Sequence, residues 1–140
     1  MNRLALLLGR ALGAFFFLYG AFNHLTKTST YAQYAAGAGV PLPKLAIIVT
    51  GLMLLAGGLS LLLGYQVRWG ALLLVAFLIP VSFFMHRFWG LADPAMAQFQ
   101  AANFWKNITI AGALLIVYWY AATYPGRWPY SVGGGSSPTA

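Results

Sequence analysis

Few side chains in this 140-residue sequence can do chemistry. There are two histidines, one acid, eight lysines and arginines, and no cysteine. Without thiols the chain carries no disulfide, thiolate metal site, iron–sulfur cluster or CxxC redox pair of its own. What remains is a short roster: His24, His86, Arg87, Asp93, Gln100, Asn103, Lys106 and Asn107. Two imidazoles facing each other across a bundle could ligate a haem. Neither histidine has a further ligand set near it, so hydrogen-bonding histidines and no metal are expected. Asp93 stands before Pro94, which marks a helix start, because the carboxylate accepts from free first-turn amides and proline fits the first helical position. The same carboxylate is available as counter-ion to Arg87, Lys106 or a protonated histidine. Gln100, Asn103 and Asn107 are spaced three and four apart, so they line one helix face, with Lys106 beside them. Such a stripe at membrane depth serves either as interhelical hydrogen bonding or as the lining of a small polar pocket suited to a quinone or a lipid headgroup.

The elements that must position these residues are membrane helices. Hydrophobic residues make up 61% of the chain and charged ones only 6%, against about 25% charged in a soluble domain. Too few polar side chains remain to coat a soluble surface. The net charge of +7 comes from cations spread singly along the chain, near the ends of apolar runs. That placement fits the membrane interface and argues against nucleic acid. Four stretches approach the roughly 20 apolar residues that a span requires: residues 4–25, 45–64, 70–85 and 104–124. Arg10 interrupts the first run, which resumes at once, so an uncleaved first span is expected. Arg10 itself either snorkels or marks where that span begins.

Between the first two spans, residues 26–44 leave room for a short interfacial helix carrying Tyr31 and Tyr34. A tight turn over residues 64–68 makes the second and third spans antiparallel neighbours, and Pro80 predicts a kink in the third. One helix is expected from Pro94 deep into the fourth span. The resulting fold is an all-α, up-down bundle of four transmembrane helices over 1–124. A tail over 125–140 follows, first interfacial through Trp128 and Tyr130, then disordered. Cations divide four against four between the two sides, so charge does not orient the bundle. In this topology His24, His86, Gln100, Asn103, Lys106 and Asn107 gather at one mouth. Phe88, Trp89 and Trp105 are placed to seal it.

Three segments resemble DoxX-like membrane proteins: GRALGAFFFLYGAFNHL over 9–25, GVPLP over 39–43, and HRFWGLADPAMAQFQAANFWKNITIAGALL over 86–115. The resemblance covers roughly Arg10 to Tyr120. It places Arg10, His86, Trp89, Asp93, Lys106 and Asn107 at motif positions. Many members have a lysine near the end of the first span, where this chain has His24 followed by Lys27. The resemblance implies a four-helix protein of a bacterial inner membrane, with some members linked to quinone-coupled oxidation and no agreed catalytic set. The expectation is a non-catalytic subunit or anchor, in contact with lipid and with partner proteins of a redox-linked membrane complex. The alternatives are a quinone- or lipid-binding component, with quinone as a bound ligand rather than a resident cofactor, and a small-molecule carrier.

Overall fold

Backbone amides inside a long apolar run have no water to bond, so the run closes its hydrogen bonds as helix. The computed structural model describes residues 2–125 and Val132, and it shows this repeatedly. The elements are α1 (Asn2–Thr26), α2 (Thr28–Gly37), α3 (Pro43–Leu63), α4 (Val67–Met85) and α5 (Pro94–Thr123), with no strand among the described residues. Helices α1, α3 and α4 are long and apolar enough to cross a membrane. Of the four expected spans, three meet that description. The fourth candidate lies inside α5, the longest helix at 30 residues, whose first half is made polar by Gln98, Gln100, Asn103, Lys106 and Asn107. The tail expected over 125–140, with Trp128 and Tyr130 as anchors, lies outside the described residues apart from Pro125 and Val132.

Chain neighbours pack antiparallel. α1 lies along α3, α3 on α4, and α4 on α5, while α2 rests on α3. One core joins them: Ala14, Phe17 and Ala21 of α1, Leu54 and Leu61 of α3, Ala71, Leu74 and Leu78 of α4, and Ala111 and Leu114 of α5. Small residues permit the approach. A Cβ on Gly57 would lie 2.5 Å from Leu74 Cγ, and one on Gly70 would collide with the Ser60 side chain. α4 runs unbroken through Pro80, which removes only the amide that would have bonded the Ala76 carbonyl. Between α3 and α4 the chain reverses through Gly64 at φ 68°, and Gln66 at φ 51° leads into α4.

The carboxyl end of α3 is closed with unusual completeness. The last four carbonyls of a helix have no intrahelical donor. Here Ser60 O accepts from Tyr65 N at 3.1 Å, and Leu63 O from Val132 N at 3.0 Å. Arg10 supplies the other two, donating from Nε to Leu61 O at 3.0 Å and from Nη2 to Leu62 O at 2.6 Å. Arg10 is therefore a buried clamp between α1 and α3, only 7% exposed.

Candidate functional site

His24 sits in the last turn of α1, half-buried where four helices meet. Its Nδ1 is 3.0 Å from Thr50 Oγ1 on α3. Its ring centre lies 5.0 Å from Tyr31 of α2 and 6.2 Å from Phe77 of α4. Thr50 spends its one hydroxyl proton on the Ala46 carbonyl at 2.7 Å, so its oxygen accepts from His24. This network assigns the proton to Nδ1 and leaves Nε2 as an acceptor. Beside the ring lies a cavity of about 350 Å³, bounded by α2, α3 and α4. His24 and Thr50 supply its polar side chains. Ala35, Ile47, Phe84 and Met85 belong to its apolar lining. Ala76 and Pro80 lie on one wall, where the proline leaves a carbonyl without its helical amide.

The other members of the expected mouth mostly pair with one another. His86 Nδ1 is 2.9 Å from Gln100 Oε1, joining the end of α4 to α5. Lys106 Nζ donates to Asn103 Oδ1 at 2.8 Å, one turn back along α5, and stands 5.8 Å from the centre of the Phe16 ring on α1. Asn103 Nδ2 in turn donates to Phe99 O at 3.0 Å. Asn107 is buried, on the α5 face that also carries Gln100, Phe104, Ala111 and Leu114. Gln100 and Arg87 help line a second recess of about 430 Å³ beneath α2. None of His86, Asn103, Lys106 and Asn107 lines the cavity that His24 faces. The six residues thus occupy one mouth without forming one pocket.

At the head of α5, Asp93 Oδ1 accepts from Ala95 N at 3.0 Å. Among the described residues it forms no ion pair with Arg87. Asp93 is fixed at the start of α5, while Arg87 lies across the Gly90 turn beside the recess under α2. The aromatics expected to seal a pocket gather instead around Phe104, which lies 5.6 Å from Phe88, 5.9 Å from Trp89 and 5.3 Å from Trp105 between ring centres. No three histidines or acids come together as a metal site among the described residues.

Sequence reasoning missed Thr50, Tyr31 and Phe77 around His24, the hub role of Phe104, and the clamp role of Arg10. For Thr50 there was a signal. A lone hydroxyl within an otherwise apolar stretch must find a partner, either in its own helix or across the bundle.

A family model described as DoxX matches residues 5–87, more than half of the chain. That match ends at Arg87, so the 86–115 segment of the resemblance lies almost wholly beyond it. Two relatives extend further. Inner membrane protein YphA of Escherichia coli (strain K12) is 31% identical over 121 residues, covering 86% of this chain and 84% of its own length. Inner membrane protein YqjF of the same organism is 27% identical over 128 residues, covering 91% and 90%. No solved structure matches. With three helices able to span a bilayer, this chain is an integral membrane protein and belongs to the DoxX family.

Proposed function

We propose that the chain is the ligand-holding, non-catalytic component of a redox-linked system in a bacterial inner membrane, and that its ligand is an amphipathic ring of the quinone class bound beside His24. The observation that carries this reading is the cavity itself. Its volume falls within the range of about 300–1,000 Å³ common to small-molecule sites, and its character is apolar with a few convergent polar groups. The assigned tautomer leaves Nε2 as an acceptor, so the fitting head group is a donor, the hydroxyl of a quinol. The inner-membrane location follows the names of the two relatives. In this reading α5 is the fourth span. It packs along α4, and from Gln100 to Thr123 it is long enough, at about 1.5 Å per residue, to match the bilayer core.

A short-chain quinol titrated into the protein in lipid nanodiscs tests this. Wild type binds saturably, and His24→Phe weakens binding about tenfold, the weight of one hydrogen bond in a dry site. Ala35→Leu fills the cavity and abolishes binding. Lys106→Met leaves it unchanged, because Lys106 is engaged with Asn103. Absence of saturable binding to wild type, or equal binding to His24→Phe, would return the chain to the anchor-subunit reading, in which its helix faces serve partner proteins alone.

A further inference from the structure

At the mouth opposite His24, a groove of about 610 Å³ runs along the outer surface where α3 and α4 meet. Leu59 and Leu63 of α3 and Leu73 of α4 line it. Between them the helices approach closely, because Gly70 carries no side chain against Ser60. At the interfacial end stand Tyr65 and Trp69. The Arg68 guanidinium is held 5.0 Å from the centre of the Trp69 ring. The seven steps along the helix from Trp69 to Ala76 span about 10 Å, two-thirds of the roughly 15 Å hydrocarbon depth of one leaflet.

Charge decides what fits. The single acid of the sequence, Asp93, caps α5 at the other mouth. No carboxylate side chain therefore offsets Arg68, an exposed cation already positioned by its stacking on an interfacial tryptophan. A neutral occupant would use the leucine walls and leave that cation unused. We infer that the α3–α4 groove holds one anionic phospholipid, with an acyl chain between the leucine walls and the phosphate at Arg68 and Tyr65. This inference is independent of the His24 cavity, with which the groove shares only Ala76 at its far end.

Native mass spectrometry of the full chain in mild detergent tests it, with phosphatidylglycerol and phosphatidylcholine of identical chains added in parallel. Wild type retains phosphatidylglycerol about fivefold more than phosphatidylcholine, the weight of one interfacial cation. The ratio falls to about one in Arg68→Gln and survives in Arg68→Lys, which keeps the charge. Ala56→Phe, a change at an exposed position in the groove, lowers retention of both lipids. Excess inorganic phosphate does not displace phosphatidylglycerol, because the acyl chain supplies part of the hold. Equal retention of the two lipids by wild type, no retention of either, a preference that persists in Arg68→Gln, or displacement by phosphate would each overturn the inference.

Discussion

Arg10 is a charged side chain 7% exposed, and what makes that burial tolerable is the pair of carbonyls it reaches on α3. Guanidinium suits the task because its planar fork can address two acceptors at once, which an ammonium on a flexible stem does less well. Hydrogen bonds from a charged donor contribute about 1.5–3 kcal/mol. Arg10→Met should therefore lower stability by about 2–3 kcal/mol, since it removes both charged hydrogen bonds and leaves Leu61 O only the 3.3 Å contact from Gly64 N. Arg10→Lys should fall between the two, losing about 1 kcal/mol with one carbonyl still served. Unfolding midpoints in mixed micelles order the three proteins, and a Met variant as stable as wild type would remove the clamp from the account. Periodicity alone could not assign this role. The residues that Arg10 meets lie 51 and 52 positions away, and the run of sequence around it reads equally well as a snorkelling cation.

Helix packing is where the small residues act. Gly57 and Gly112 both lie inside helices, yet their surroundings differ. An added Cβ at Gly57 meets the fully buried Leu74, whereas at Gly112 nothing lies within 4 Å. Gly57→Ala should destabilise the α3–α4 contact by about 1–3 kcal/mol through overpacking. Gly112→Ala should be neutral, or stabilising by up to about 1 kcal/mol, because alanine is the better helix former. Pairing Gly57→Ala with Leu74→Ala should recover part of the loss, and a double mutant no better than the additive sum would argue against a steric cause. At this scale the sequence was informative. Asp93-Pro94 signalled the start of α5, and the break over 26–44 held the short helix α2, because start signals and apolar runs are local. The pairings His24–Thr50 and His86–Gln100 were not legible, because they depend on how each helix is rotated about its axis. The three-and-four spacing predicts one face for Gln100, Asn103 and Asn107, whereas Gln100 and Asn107 are buried and Asn103 turns to the exposed Lys106.

Across the whole molecule, the number of spans decides which compartment each end occupies. Single cysteines replacing Ser29, Gln66 and Ala92 report this with an impermeant thiol reagent, alongside one at the carboxyl end in place of Ser137. Ser29 and Ala92 should label from one side and Gln66 from the other. If α5 crosses, Ser137 labels with Gln66. If α5 lies along the surface instead, Ser137 labels with Ala92, and the four-span arrangement fails. The sequence predicts a fourth span over 104–124, while the polar residues in the first half of α5 dilute the apolarity of the helix that contains it.

The closed carboxyl end of α3 has a mechanical consequence. Its four terminal carbonyls are tied to α1, to the following turn and to Val132, so that end is fixed in place. The far end of α3 begins at Pro43, after Leu42 in the left-handed region at φ 46°, and α2 leans on it with cavities rather than packed side chains along much of its other flank. A molecule arriving from the bilayer therefore reaches the imidazole from the α2 side, where the cavity lies, and not past the closed carboxyl end of α3.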